Sequence, residues 1–342
     1  MEYRQLGSTG VWVSAVSLGT MTFGGNTHPL WSAIGGLGLD QARVLVDRSL
    51  DAGVNLFDAA DAYGDGESEE ILGALLGSRR QDVLIATKLA MRVGNGPNAL
   101  GLSRLHVMRS IEGSLRRLGT DYIDLYQMHN FDPLTPIEET LGALDDAVRQ
   151  GKIRYVGASN LTGWQAMKAL GAADRGGLPR LVSMQSYYSL STRDIEAEIL
   201  PMARDQKLGH LVYSPLAGGL LSGKFDRTGN TDESARRARF QSPPVDLEQA
   251  YDIIDCLRQV AERHRTSTAS AALAWVLAQE GVTSVILGAR RPDQLDDNLS
   301  ALDVRLTEED LRELETVSAP RVPSYPGYVQ EQFRINRLSA QA

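Results

Sequence analysis

The chain has almost no cysteine. Cys256 is alone among 342 residues, which excludes an internal disulfide and any thiolate metal cluster. In the run Ile253-Ile254-Asp255-Cys256-Leu257 it has helical spacing and reads as a core residue. Long hydrophobic runs are missing as well. No stretch approaches the ~18 apolar residues that span a bilayer, and the N-terminus lacks a signal-peptide pattern. A cytoplasmic location with no membrane partner is therefore expected. Basic blocks are scarce: Arg79-Arg80, Arg116-Arg117 and Arg236-Arg237 are scattered pairs in a chain of net charge −8, which argues against a nucleic-acid partner. Several chemical signatures are absent too. There is no serine nucleophile elbow, no HExxH and no carboxylate pair with glycosidase placement. One His and one Asp are too few for a tight metal site, so no metal is expected.

What is present is enough for a large core: 42% hydrophobic and 23% charged residues, as in ordinary globular chains. The length fits two domains or one α/β barrel. After a hairpin pattern over Glu2–Ser14, turned at Gly7-Ser8-Thr9-Gly10, short apolar runs alternate with helical periodicity. The runs end near Thr20, Asp58, Lys88, His129, Asn160, Gln185, Ser214 and Gly288. Helical segments are predicted over 40–52, 67–77, 103–118, 136–150, 162–174, 194–207, 247–280 (broken near Thr266) and 292–301, with a last helix from Thr307 to Ser318. Alternation of this kind implies right-handed βαβ units, and eight of them close a barrel. A doubly wound sheet would carry a dinucleotide fingerprint after its first strand, but Gly24-Gly25 leads into no helix. The expected fold is an α/β, (β/α)8 TIM barrel with an N-terminal hairpin, one domain over residues 1–342. Four stretches fall outside the repeat: 24–39, 90–102, 218–246 and the tail 320–342. The first three follow strands and should roof the active end.

In a barrel all strand ends point to one face. Taken singly, each polar ending has a plain structural role: Asp58 can cap the next helix, as can Asn160, and Lys88 can be a solvated terminus. Taken together they form a titratable set of Asp58, Tyr63, Lys88 and His129. A phenol near pKa ~10 is a poor proton donor at neutral pH, but an adjacent ammonium favours the phenolate, and a carboxylate keeps that ammonium charged. Such a phenol can protonate a developing alkoxide while His129 positions the carbonyl. This is carbonyl reduction, and it requires a hydride donor. Ser159, Asn160 and Gln185 can hydrogen-bond a carboxamide, and Tyr213 can stack on a nicotinamide ring. The glycine-rich loop Ser214–Lys224 lets backbone N–H groups approach a pyrophosphate.

The blocks "NLFDAADAYGDGESEEILG", "VLIATK", "LRRLGTDYIDLYQMHNFDP", "GKIRYVGASN", "VYSPLAGGLLSGK" and "SVILGARRPDQLDDNLSAL" resemble the aldo-keto reductase family over essentially the whole chain. The resemblance implies a catalytic tetrad of Asp58, Tyr63, Lys88 and His129 and an NADP(H) stretched across the strand ends. It implies cofactor contacts from Thr20, Met21 and Asp58, a carboxamide site at Ser159, Asn160 and Gln185, and the nicotinamide ring on Tyr213. The pyrophosphate would follow Ser214, Leu216, Gly218 and Lys224. Arg290 would meet the adenosine 2′-phosphate, with Gly288 a further cofactor contact and Gln294, Asp297 and Asn298 at the adenine; Asp297 stands where Glu is common in the family. The insertion 24–39 should shape the substrate pocket, and Trp31, Met91 and Tyr325 are candidate substrate contacts. The chain also resembles the potassium-channel β-subunit branch of the same family. A cofactor-sensing regulatory subunit is therefore the second expectation, although such subunits often carry an N-terminal extension and this chain begins on its hairpin. The substrate expected is a small aldehyde or ketone, or the corresponding alcohol.

Overall fold

In the computed structural model, residues 1–227, 229–230, 237, 240–320 and 327–339 are described. The chain starts with the antiparallel hairpin β1 (Tyr3–Gln5) and β2 (Trp12–Ser14), paired Tyr3 to Ser14. Eight parallel strands then close a barrel: β3 (Val16–Gly19), β4 (Leu56–Asp58), β5 (Leu84–Leu89), β6 (Ile123–Met128), β7 (Ile153–Ser159), β8 (Leu181–Tyr187), β9 (Gly209–Tyr213) and, after a small hairpin β10 (Phe225–Asp226) and β11 (Gly229–Asn230), β12 (Val282–Leu287). Strand β12 pairs with both β9 and β3, which closes the ring. The fold expectation is met.

Alternation along each strand sorts the side chains. Leu56, Ala86, Leu125, Leu211 and Ile286 fill the lower interior and are plugged from beneath by Leu6 and Val13 of the hairpin. Phe57, Ile85 and Tyr126, one position out of phase, pack outward under the helices. Beyond the lower layer the inward positions turn polar: Asp58, Lys88 and Gln127 are all buried. A closed barrel has only its two ends for polar inward residues to reach, so the carboxyl end becomes the site.

The helices are α1 (Pro29–Ile34), α2 (Leu39–Asp51), α3 (Glu67–Leu76), α4 (Arg104–Leu118), α5 (Ile137–Arg149), α6 (Gly163–Gly176), α7 (Ile199–Asp205), α8 (Leu247–His264), α9 (Thr268–Leu277), α10 (Pro292–Leu299), α11 (Glu308–Ser318) and α12 (Gly327–Ser339). Helix α4 shows the local logic. Ser103 caps its N-terminus by accepting from the His106 N–H, and Val107, Ile111, Leu115 and Leu118 make the buried stripe. The predicted break near Thr266 is real: Arg265 turns the chain in the left-handed region and Ser267 caps α9. The pattern Thr307-Glu308-Glu309-Asp310 does start α11, with Thr307 and Asp310 exchanging capping bonds. Periodicity missed α1 and α12. Six residues are too few to show a helical period, and the exposure of Val329, Phe333 and Ile335 leaves α12 without a regular apolar stripe. Among the described residues, no helix is long and apolar enough to cross a membrane.

Candidate active site

Asp58 closes β4, and Lys88 is the penultimate residue of the neighbouring β5. The Lys88 Nζ donates to Asp58 Oδ1 at 2.5 Å, to the Ala59 carbonyl at 2.7 Å and to Tyr63 Oη at 3.4 Å. All three ammonium hydrogens have acceptors, which is how a lysine with no solvent exposure keeps its charge. Burial acts to lower the Lys88 pKa, but the Asp58 carboxylate and the Tyr63 oxygen outweigh it, and the net direction is up.

Sequence reasoning missed what holds the other carboxylate oxygen. Asp58 Oδ2 accepts from Gln185 Nε2 at 2.8 Å and from Gln127 Nε2 at 3.3 Å. Gln127 lies two residues before His129, on the same inward face of the β6 run, and that alternation was the available signal. Gln185, expected at a carboxamide, therefore also anchors the tetrad. Asp58 is fixed from both sides, so its orientation does not depend on Lys88 alone.

Tyr63 reaches the group through a tight 3-10 turn, Tyr63–Gly66, in which Gly64, Asp65 and Gly66 are all left-handed. The turn reverses the chain between β4 and α3 and leaves the phenol at the strand ends. Its ring meets that of His129 edge-on, with centroids 5.8 Å apart at 77°. His129 lies just past β6, where its N–H donates to the Leu89 carbonyl at 2.8 Å. Burial first, then the Lys88 charge, lowers the His129 imidazole to about 3. It is neutral at physiological pH. All four expected tetrad residues are thus brought together.

Above them opens a cavity of about 690 Å³. Of the expected cofactor residues, Met21, Asp58, Ser159, Asn160, Gln185, Tyr213, Ser214, Leu216, Gly218, Lys224, Gly288, Arg290, Gln294, Asp297 and Asn298 line it. Thr20 does not: its hydroxyl is buried against the Asp58 carbonyl and Ser68 Oγ, at 3.2 and 2.7 Å. Its neighbours Gly19 and Met21 face the cavity instead. Trp31 and Met91 also line the cavity, whereas Tyr325 lies outside the described residues. Residues that sequence reasoning did not single out, among them Ile34 at the end of α1, Tyr187 at the end of β8, and Phe240 and Pro243 in the loop after β11, complete the wall. They carry no motif; only the tertiary path of the chain brings them together here.

Local geometry prepares the cavity for a ligand. The Ser159 Oγ is buried with no hydrogen-bond partner. Asn160 is held at φ +59 and bridges the His129 carbonyl (2.9 Å) and the Tyr213 hydroxyl (2.8 Å). Tyr213 stacks on Tyr187 at 6.0 Å. In the loop after β9, Ser214, Ala217, Gly218 and Gly219 all have positive φ. Successive N–H groups in such a turn can form an anion-binding nest, although those of Ala217 and Gly219 donate to the Ser214 and Leu216 carbonyls at 2.8 and 2.9 Å. A Cβ at Gly218 would lie 2.5 Å from the Ser242 carbonyl oxygen, so only glycine allows this approach. At the other end Arg290 lines the cavity, while Arg291 turns away to an ion pair with Asp293. Hydroxyls of Ser267 and Ser270 engage the Asp297 carboxylate at 2.9 and 3.3 Å.

Behind the tetrad sits a second buried acid. Neither carboxyl oxygen of Asp61 makes a hydrogen bond of normal geometry, because the nearby Arg117 guanidinium is taken by Glu69 at 2.7 Å. Burial first, and then the Glu69 charge, push the Asp61 carboxyl up to about 8; Arg117, the Ala62 N–H and the Ser110 hydroxyl offset only part of this. An unfolded Asp titrates near 3.9. Between those values the folded state holds a proton that the unfolded state has lost, so stability falls as pH rises from about 4 to about 8. Asp61→Asn removes that penalty. It is expected to be more stable than the native protein at pH 8 by about 2–4 kcal/mol, with no gain near pH 4. Urea unfolding at both pH values checks this, and an equal difference at both would assign the effect to packing instead.

Barrel and site together describe a protein whose chemistry sits on one face, around a buried lysine–carboxylate pair and a phenol. Residues 15–319 match the Aldo/keto reductase family, and the chain belongs to it. It is 40% identical over 329 residues to the uncharacterized oxidoreductase YrpG of Bacillus subtilis (strain 168), covering 93% of this chain and 96% of that protein. It is 36% identical to a probable voltage-gated potassium channel subunit beta of Oryza sativa subsp. japonica, with the same shares covered. It is 31% identical to the L-glyceraldehyde 3-phosphate reductase of Escherichia coli O157:H7, covering 92% of each chain. Oxidoreductase chemistry on a small molecule follows from this membership.

Proposed function

We propose that this one-domain barrel is an NADPH-dependent oxidoreductase that interconverts an aldehyde or ketone and its alcohol, with Tyr63 as general acid and base. The observation that carries the reading is the Lys88 ammonium donating to both Asp58 and Tyr63 in a site with no solvent at the lysine. A fixed positive charge beside the phenol oxygen stabilises the phenolate left when the proton is given up. His129 is not assigned as that acid, because burial and the Lys88 charge lower its imidazole to about 3 and keep the ring neutral. As a neutral ring it can still donate one hydrogen bond to a carbonyl oxygen, which orients the substrate without competing for the proton. Asp58, tied to two amides and to Lys88, keeps the ammonium charged and in place.

The residues present fit a nicotinamide dinucleotide. The partnerless Ser159 hydroxyl and Asn160 suit the carboxamide, the Tyr213 ring suits the nicotinamide face, and the nest at Gly218 with Lys224 suits the pyrophosphate. When bound, that cofactor supplies the hydride. Arg290 is assigned to the 2′-phosphate, because it lines the cavity and Arg291 does not, and a guanidinium fork binds phosphate through paired hydrogen bonds. A charge-assisted contact of this kind is worth about 10- to 150-fold in affinity. Arg290→Ala is therefore expected to raise the NADPH dissociation constant by that factor and barely move NADH, as read by fluorescence titration. Equal losses for both cofactors would remove Arg290 from this role.

Two curated relatives are named as probable potassium channel β subunits, which keeps a cofactor-sensing role as the second reading. Steady multi-turnover NADPH oxidation with a panel of aldehydes supports the enzyme. Tight cofactor binding with negligible turnover supports the sensor.

A further inference from the structure

Resting on the oxidoreductase reading, we infer that Asp61 is a positioning residue for the proton donor: a proton held on its carboxyl latches the turn that carries Tyr63, and loss of that proton releases the turn. The backbone makes the connection. The Asp61 N–H donates to the Lys88 carbonyl at 3.1 Å, and two residues on, the Tyr63 N–H donates to the Ala60 carbonyl at 3.2 Å. The Asp65 N–H then donates to the Ala62 carbonyl at 3.2 Å, and α3 starts at Glu67. Asp61 and Glu69 therefore bracket the catalytic turn, the first just before it and the second in the opening turn of α3.

Both carboxyls are buried in the same space behind the tetrad. Arg117 of α4 is the cation beside them, and it is committed. Its Nε donates to Glu69 Oε2 at 2.7 Å, while the Thr87 hydroxyl of β5 donates to Glu69 Oε1 at 2.6 Å. The guanidinium cannot easily shift towards Asp61, because Arg117 packs so closely on the turn that a Cβ at Gly66 would lie 2.7 Å from its Cδ. The other groups facing Asp61 are neutral. From α4 come the Ser110 and Ser114 hydroxyls, with the His106 imidazole 3.3 Å beyond Ser110, and from β6 comes the Tyr126 phenol. Burial lowers the His106 pKa and, ahead of the two carboxylates, raises that of Tyr126. The Lys88 ammonium lies on the opposite, inward side of β5, against Asp58. Neither Asp61 oxygen, nor the Tyr126 or Ser114 hydroxyl, has a hydrogen-bond partner of normal geometry. Two carboxylates sharing one guanidinium so far from water carry an uncompensated charge, and a proton on Asp61 removes it.

Opening the turn returns Asp61 to water and to its ordinary value near 3.9. In the closed turn, burial and then the Glu69 charge hold it at about 8. Between those values the closed turn keeps a proton that the open turn gives up. Each pH unit in that window therefore raises the ratio of open to closed turn about tenfold, and above about 8 the ratio levels off. The phenol is held in place most firmly where Asp61 is protonated.

The test is native-state hydrogen exchange of the Asp61, Tyr63 and Asp65 amides in the full chain, from about pH 5 to about pH 9, beside Asp61→Asn and with the β7 strand amides as reference. After correction for the intrinsic exchange rate, protection of the turn should fall about tenfold per pH unit up to about pH 8 and then level off, staying below that of β7 throughout. In Asp61→Asn it should change less than about 2-fold per unit. Flat protection in the native turn, or the native slope retained in Asp61→Asn, overturns the latch. Turn amides that exchange only as slowly as those of β7 make the opening global and overturn it too. The second arm measures kcat for aldehyde reduction over the same range. Native kcat should fall more steeply with rising pH than that of Asp61→Asn, with KM for NADPH little changed. Superimposable kcat profiles refute the positioning role, whatever the exchange shows. Absence of turnover with every carbonyl refutes the oxidoreductase reading, and the exchange result then decides the latch by itself. If Asp61→Asn does not fold, Glu69→Gln takes its place. It removes the repelling charge and frees Arg117, so the levelling point should move to lower pH, and an unmoved point overturns the latch.

Discussion

Tyr63→Phe should lose about 100- to 10,000-fold in turnover, the usual worth of general acid catalysis, while binding NADPH nearly as well as the native protein. The substitution removes one oxygen and keeps the ring that packs against Trp31 and His129. Its fold cost should be small, since the lost hydroxyl contact to Lys88 Nζ is the longest of the three that the ammonium makes. The loss should therefore appear in kcat and not in cofactor titration. Turnover within a few-fold of native, on the general scale of mutant kinetics, would falsify the assignment of Tyr63 as the proton donor and reopen the case for the sensor.

Lys88→Met should be as damaging to turnover and far more damaging to the fold. It takes the fixed charge from the phenol and leaves Asp58 buried with only the Gln127 and Gln185 amides. Breaking a buried ion pair on one side costs about 3–5 kcal/mol, because the remaining charge is uncompensated. The double variant Asp58→Asn, Lys88→Met removes that stranded charge and should recover much of the stability without recovering activity. Two measurements check this: urea unfolding of the single and double variants, and the pH–rate profile of any residual activity. A Lys88→Met protein of native stability and unchanged pH–rate profile would mean that the pair neither supports the core nor tunes the phenol.

Much of the site was legible in the sequence because the inward face of a strand repeats every two residues. Asp58, Lys88 and His129 end apolar runs of that period, and Tyr63 follows Asp58 closely enough that the turn can only return it to the same rim. What escaped was partnership. Gln127 was read as part of a strand, and nothing local marks it as the second amide on Asp58. Thr20 ends the first strand run as other site residues end theirs, yet its hydroxyl turns outward to Ser68 beneath α3. Arg290 and Arg291 are adjacent and alike, but at the start of α10 one lines the cavity and the other pairs with Asp293.

By itself the sequence determined the number and order of the barrel strands, the parallel barrel they close, and the four titratable residues at its rim; the small hairpin β10–β11 was not legible in it. These depend on periodicity and on the length of each βα unit, both local quantities. Only the tertiary structure decided which of those residues touch. In a closed barrel the stagger between neighbouring strands sets who stands opposite whom, as with Lys88 beside Gln127 and Ser159 beside Gln185. It also decided the course of the insertion: α1 is too short to hold itself, and it is its packing on the Tyr63 turn that places Trp31 over the phenol.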